Sequence, residues 1–345
     1  MSPCRVRAHA PGRVNLIGDH TDYTGGLALP MAIDLGVDVA LERDETLDRV
    51  ELVSGDQPGR ATVDRAQPLA SVGDDAPRWA RYVAGVVETA TPPAGGIGTV
   101  SSNLPIGAGL ASSAALEVAV ALALGFEGTP VQLAQACQRA ERVAAGVPCG
   151  VMDPLASACG RRGHALLLDC ASLVVSPVAL PDEVEVVAVH SGRARGLAGS
   201  AYAARRAECE AAEAVVGALR EATAAEVGSI RDPVLRRRAR HVVTENARVR
   251  AAAQAIAAGD LASAGAEMTA SHRSLAADFE VSTPSLDALV DELLGTPGVL
   301  GARMTGAGFG GCVVALTEPG AVVPDNRRGW VLRASAGASV EVVDA

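Results

Sequence analysis

Lysine is missing from this 345-residue chain: all thirty Lys-plus-Arg positions are arginine. That excludes the Gly-x-x-x-x-Gly-Lys-Ser/Thr phosphate loop, the strand lysine of protein kinases and Schiff-base chemistry through an amine. Aromatic residues make up only 2%, which leaves little to stack on nucleobases. The net charge is −10 and no block of like charge supplies a basic footprint, so nucleic acid is excluded as a partner. The Arg-rich stretch RDPVLRRRARH (231–241) reads as one exposed helix face. No apolar run approaches the ~18 residues of a membrane span, the longest being Val118–Leu124. The opening MSPCRVRAHAPGRV has no apolar core of a secretory signal, so a soluble cytoplasmic protein with no membrane partner is expected. The cysteines (Cys4, Cys137, Cys149, Cys159, Cys170, Cys209 and Cys312) are odd in number and form no C-x-x-C pair. They point to small buried thiols in a reducing compartment, not to a disulfide framework or a zinc site.

What is present is apolar and mixed in period. With 49% hydrophobic residues the chain has ample core for two domains. Strand patterns are expected around a charged turn in 36–53, near 98–103, in 164–173 and 184–191, after the glycine turn at 304–312, and at the C-terminus. Helical patterns are expected in 112–124, 132–145, from Asp153, and in 198–222, 232–258, 262–279 and 285–294. The class is α+β, in two mixed domains, 1–172 and 173–345, with the last strands able to pack back on the first.

Four segments carry chemistry. In PIGAGLASSAALE (105–117), Gly107 and Gly109 precede Ser112, Ser113 and a helix-forming run. Glycines let backbone N–H groups approach an anion, and a helix N-terminus adds free donors and a positive dipole end. The same spacing suits an ordinary turn with a serine N-cap. MTGAGFGGC (304–312) matches G-x-G-x-x-G through Gly306, Gly308 and Gly311 but runs into a strand. It is either a tight turn or a second glycine loop facing nucleotide or substrate. In GVPCGVMDP (146–154), Asp153 before Pro154 has the pattern of an N-cap, and Glu141 reads as a solvated helix residue. The segment GRVNLIGDHTDYTGG (12–26) crowds an arginine, two aspartates and a histidine among glycines, which packing alone does not require.

Taken in order, these motifs resemble the GHMP small-molecule kinases, and within them the galactokinases. GRVNLIGDHTDYTGGLALPMAI is similar to the galactokinase signature, PIGAGLASSAALE to the ATP loop and AGVPCGVMD to the segment holding the catalytic aspartate. YAARRAECEAA, LRRRARHVVTEN, SHRSLAADFEVSTPSLD and GARMTGAGFGGCVVAL resemble later segments, so the likeness covers nearly the whole chain. It implies a GHMP-type fold with the active site in the cleft between two domains. It implies transfer of the γ-phosphoryl of ATP to the anomeric hydroxyl of a sugar, with Asp153 as base and Arg13 as electrostatic stabiliser. Asp19, His20, Asp22, Tyr202 and the backbone at Gly150 would bind the sugar. Gly107, Gly109, Leu110, Ser112, Ser113 and, at the adenine, Trp79 would bind the nucleotide. Ser113 and Glu141 would hold Mg²⁺. The family leans to monomers, with a homodimer open.

The chain departs from the pattern at several points. Asp19 replaces a usual glutamate that holds the C6 hydroxyl, withdrawing the carboxylate by ~1.5 Å, one C–C bond. Thr24 replaces an asparagine and Pro154 a glutamine, and the shorter N-terminus implies a shortened lid. Arg193 and Arg195 suit either solvent or an anionic tail on a longer sugar. The expected function is a sugar 1-kinase for galactose or a galactose-like aldose. The alternative is a divergent 1-kinase for a C6-extended or phosphorylated sugar, such as an octose, in secondary metabolism. A remote third reading is a non-catalytic sugar and ATP sensor.

Overall fold

The computed structural model describes residues 4–89, 94–105, 107–146, 149–193, 198–321 and 327–343. The first half runs β1 (Cys4–Asn15), β2 (Leu27–Ala28), β3 (Pro30–Asp44), β4 (Arg49–Ser54), β5 (Arg60–Asp64), α1 (Arg78–Thr89), β6 (Gly95–Ser102), α2 (Ser112–Ala123), α3 (Pro130–Ala145), α4 (Met152–Cys159) and β7 (His164–Asp169). It continues with β8 (Val174–Ala179), β9 (Glu185–His190), α5 (Ala198–Val216), α6 (Ala224–Ser229), α7 (Pro233–Ala258) and α8 (Leu261–Ser274). The chain then passes through a π-helical turn (Leu275–Phe279), α9 (Pro284–Leu294), β10 (Val299–Met304), β11 (Cys312–Thr317), β12 (Gly329–Leu332) and β13 (Ser339–Val343). Among the described residues no helix is long and apolar enough to cross a membrane.

Three sheets organise these elements: a six-stranded one in the order β13-β1-β3-β6-β4-β5, a four-stranded one in the order β10-β11-β9-β12, and β2-β7-β8. The smallest sheet straddles the expected boundary at 172/173, and β13 pairs antiparallel with β1 from Arg5↔Val343 to His9↔Ser339. The four-stranded sheet shows period-two burial on both faces. Val186, Ala188, Cys312, Val314 and Leu316 pack into one apolar core, while Val187, Val189, Met304, Val313 and Ala315 pack into the other. A strand pair buried on both faces needs continuous apolar runs, and VVAV and CVVAL supply them.

Helix α2 is apolar on all sides and almost wholly buried, as a helix surrounded by other elements must be. Its neighbours are β1, β3, β13, α1, α3 and α4. Helix α3 starts with a reciprocal capping box between Thr129 and Gln132 and ends at left-handed Gly146. Helix α7 starts at Asp232, which accepts from the Val234 and Leu235 N–H groups, with Pro233 in the first turn.

Some expectations need correction. The Arg-rich stretch is not one exposed face: Arg238 is 2% exposed. It donates to Glu208 (2.6 Å), the Asp278 carbonyl (2.5 Å) and Glu280 (2.5 Å). The expected helix 262–279 is α helix only to Ser274 and then widens into the π turn. Neither serine caps α2, whose N-cap is Ala111 with no side-chain bond. Asp153 is not an N-cap either. Val151 holds that position in α4, and the aspartate lies inside the first turn.

Candidate active site

The site begins with a fault in β1. The β1–β3 register shifts between Pro11 and Arg13, as at a β-bulge, which re-aims the strand. Gly12 permits the close approach, since a Cβ there would lie 2.6 Å from the Leu110 carbonyl oxygen and from a Leu104 methyl. Arg13, only 3% exposed, then reaches across to α4. Its Nε donates to Asp153 Oδ1 at 2.7 Å and its Nη2 to Oδ2 at 2.6 Å. This is the two-toothed geometry that a planar guanidinium suits and an ammonium does not. Arg13 also donates from Nη1 to the Gly109 carbonyl (2.7 Å) and from its backbone N–H to the Leu110 carbonyl (3.1 Å). One side chain thereby ties the catalytic candidate to the glycine loop.

That loop turns through Gly107 (φ 72°), Gly109 (φ 80°) and Ala111 (φ 60°), the last a non-glycine residue in the left-handed region. The turn delivers the first N–H groups of α2 uncapped by any side chain. A helix start without a cap leaves donors for an anion. Beside it lies a cavity of about 620 Å³ lined by Ser112, Ser113, Trp79, Arg78, Tyr82 and Gln57, among others. The Trp79 indole Nε1 is buried with no hydrogen-bond partner among the described residues, a donor still to be satisfied. Ser113 donates to Glu141 Oε1 at 2.9 Å. Burial, then the charge of Asp153, pushes the Glu141 carboxyl above its ordinary value.

A second cavity of about 310 Å³ holds Arg13, Asp153, Glu141, Asp19, His20, Asp22, Gly150 and Tyr202 in its wall, with Cys149, Gly306 and Ala307. Tyr82 lines both cavities, and the Ser113–Glu141 bond joins them. The expected catalytic and sugar-binding residues therefore converge with Ser112, Ser113, Trp79 and Glu141, while Gly107, Gly109 and Leu110 line neither cavity. Their local roles are unequal. Asp22 faces the Met152 and Tyr23 N–H groups, and burial, then the charges of Asp153 and Asp19, raises it to about 6. Gly150 is required for Asp22, because a Cβ there would fall 1.5 Å from its Oδ2.

His20 (φ 64°) has both ring nitrogens engaged, Nδ1 with the Tyr23 hydroxyl (3.0 Å) and Nε2 with the Ala307 carbonyl (3.2 Å). A carbonyl only accepts, so Nε2 carries the proton and Nδ1 accepts. Burial, then the nearby His241, lowers its pKa to about 3, so the ring is neutral. It packs 4.7 Å from the Phe279 ring and 5.5 Å from Tyr202. Asp19 has its oxygens on protein groups: Oδ2 is 2.6 Å from Arg303 Nη2 and Oδ1 accepts the Gly306 N–H at 3.0 Å.

Several participants escape a sequence reading. Arg303, Glu245, Tyr23, Phe279 and Cys149 lie within the quoted segments but nothing in those segments assigns them a role. The one available signal was an arginine between apolar neighbours in GARMT, since such a charge must be buried with a partner. The second glycine loop faces the substrate cavity through Gly306 and Ala307. Arg195 lies outside the described residues, while Arg193 is exposed and its carbonyl accepts the Gly311 N–H (3.0 Å).

An uncapped helix start beneath a glycine loop, joined by one arginine to a carboxylate, suits a small-molecule kinase, and the comparisons give the class as GHMP. Residues 81–161 match the model of the GHMP kinases N-terminal domain and residues 252–325 that of the GHMP kinases C-terminal domain. Within that class residues 2–43 match the galactokinase galactose-binding signature. The chain is 46% identical to galactokinase from Homo sapiens over 327 residues, covering 90% of this chain and 83% of that protein. It is 43% identical to galactokinase from Chloroflexus aurantiacus, covering 91% and 84%. The solved Lactococcus lactis galactokinase, complexed with galactose, superposes with a TM-score of 0.87 at 31% identity, over 97% of this chain and 95% of that one. A mevalonate kinase shares the fold, with a TM-score of 0.64 at 19% identity. The chain belongs to the galactokinase family and is an ATP-dependent sugar 1-kinase.

Proposed function

We propose that this chain phosphorylates the anomeric hydroxyl of galactose or a galactose-like aldose. The observation that carries the reading is the Arg13–Asp153 pair, which stands in the smaller cavity and is tied to the loop that opens the larger one. The sugar occupies the smaller cavity, the nucleotide the larger, and the γ-phosphoryl group lies where they meet. Asp153 accepts the proton of the anomeric hydroxyl as its oxygen bonds to phosphorus. The bond from phosphorus to the β-phosphate oxygen breaks and ADP leaves. Arg13 orients the carboxylate and offsets charge spreading over the transferred group.

Asp22 accepts from sugar hydroxyls, and Tyr202 closes the cavity against the ring. The α2 N–H groups and the glycine loop cradle the phosphates, and Trp79 offers its unsatisfied N–H at the base end. The residues present fit Mg²⁺, because a serine hydroxyl and one carboxylate already meet at 2.9 Å beside the cradle. Mg²⁺ takes one or two protein oxygens and completes its shell with phosphate and water. Ser113 and Glu141 would hold it, and when bound it would neutralise charge on the β- and γ-phosphates.

A second reading has one observation in its favour. Asp19 is already committed to Arg303 and Gly306, which favours a sugar that asks little of that carboxylate, including one extended at C6. A panel of galactose, 6-deoxygalactose and longer aldoses, read by ADP release with the phosphate located by NMR, decides between them. Turnover of galactose well above the others supports the first reading, and preference for an extended sugar supports the second. If ADP is released with no sugar, both readings fail.

A further inference from the structure

The sugar-facing loop is built on a charge that lies outside the cavity. Arg303, on β10 between Ala302 and Met304, is 0% exposed. Its Nε donates to Ser271 Oγ (3.2 Å), and its Nη1 to the carbonyls of Asn15 and Leu16 (3.3 Å each). Nη2 completes the set with Asp19 Oδ2 at 2.6 Å. Ser271 in turn donates to Glu245 Oε1, which also accepts the Gly18 N–H at 3.0 Å. Buried His241 places Nε2 3.2 Å from the Asp19 carbonyl. Every polar handle of 15–19 named here is held by α7, α8 or β10. The next residues, His20 and Asp22, line the cavity. Gly18 (φ 95°) has no room for a side chain, so the loop passes tight against Leu27 and Ala28 and only glycine lets it do so.

We infer that Arg303 is a positioning residue for sugar recognition and that Asp19 serves as its fixed counter-charge, so the pair acts as one specificity element. A planar fork that donates to two carbonyls and a hydroxyl and sets its remaining nitrogen against a carboxylate as an ion pair fixes the loop in register. Losing it lets His20 and Asp22 drift, which weakens sugar binding while the nucleotide cradle on α2 stays in place. This inference rests on the proposed sugar site. Its signature is coupling: because each partner acts through the other, removing both costs little more than removing one.

The test is a double-mutant cycle with the full chain: Arg303→Met, Asp19→Asn, and both together. KM for the sugar that the parent phosphorylates and KM for ATP are measured, with thermal melts of all four proteins. Each single substitution should raise the sugar KM at least ~10-fold with the ATP KM within ~2-fold, and the double should resemble the worse single. The single variants leave one buried charge unpaired, so the double should melt higher than either, which keeps a folded protein in the cycle. Arg303→Lys, which keeps the charge but not the fork, should recover melting temperature more than sugar KM. Additive effects on sugar KM, or a parent-like sugar KM in a folded double variant, overturn the inference. The melts read the pair without any sugar, so coupling in the melts with no sugar turnover by the parent would sink the proposed function and leave the pair standing.

Discussion

At the residue scale, the chemistry is set by which charges are paired. Asp153 has Arg13, Asp19 has Arg303, and Asp22 faces the Met152 and Tyr23 N–H groups against the charges of its neighbours. Burial also raises Asp19 above its ordinary value, against the pull of Arg303 and Arg13, so Asp22 is a pH-sensitive member of the set and not the sole one. Its carboxyl titrates at about 6 instead of the ordinary 3.8. Below that point it is protonated and loses an acceptor for sugar hydroxyls. The expected outcome is a fall in kcat/KM for the sugar toward ~10-fold per pH unit below 6, with Asp22→Asn weaker at every pH and lacking this limb. The stability sign is opposite. Between 3.8 and about 6 the folded state holds the proton more firmly than the unfolded chain, so Asp22 costs stability as pH rises through that window. Melts of parent and Asp22→Asn at both ends of the window check it, and the parent should lose ground as pH rises. For the reaction itself, Asp153→Asn should lower kcat by ~10²–10⁴-fold with sugar KM little changed, measured by ADP release.

Legibility at this scale divides by distance along the chain. Arg13, Asp22 and Asp153 stand in compact, glycine-marked segments, so the sequence points to them directly. Arg238 and Arg303 do not, because what makes a buried arginine tolerable is a set of acceptors 30 to 288 residues away. By composition alone Arg238 belongs to an exposed run. Asp19 stood in the right place, but its counter-charge on β10 could not be seen.

At the element scale, turns decide function more than helices do. Helices α3, α7 and α9 were legible because their caps are local: Thr129, Asp232 and Thr283 each bond N–H groups a few residues ahead. The starts of α2 and α4 were expected at Ser112 and Asp153, within a residue of where they lie, but the caps suggested by Ser and Asp are not used. Those side chains turn instead to Glu141 and Arg13. A helix start that forgoes its cap keeps its donors for something else. The turn into α4 makes a sharp case. Gly150→Ala would drive a methyl into the Asp22 carboxylate, so sugar KM should rise ~10-fold or more while the ATP KM holds. If Gly150→Ala binds sugar like the parent, Asp22 is not where the sugar is read. On the facing helix, Glu141→Gln keeps shape and removes charge. It should raise the Mg²⁺ concentration for half-maximal rate several-fold, and Mn²⁺ titration with ADP present gives the same quantity without turnover.

For the whole molecule, the α+β class and the mixing of strands and helices in both halves were readable from hydrophobic period. Sheet order was not. Nothing local tells Ser339–Val343 to lie beside Cys4–Asn15, a pairing across almost the entire chain. That pairing has a consequence. β13 is itself wholly exposed, with Val342 at 67%, yet it occupies the free edge of β1, and β1 leads directly to Arg13. Deleting residues 339–345 should uncover the N–H and C=O row from Arg5 to His9, lower the melting temperature and promote association through the new edge. Light scattering and melts would register both. Because the deletion removes no residue from either cavity, loss of activity should follow unfolding and not precede it. A truncated protein that melts like the parent but has lost turnover would show that the strand acts on the site through its neighbours, β1 with Arg13 or α2 with the phosphate cradle.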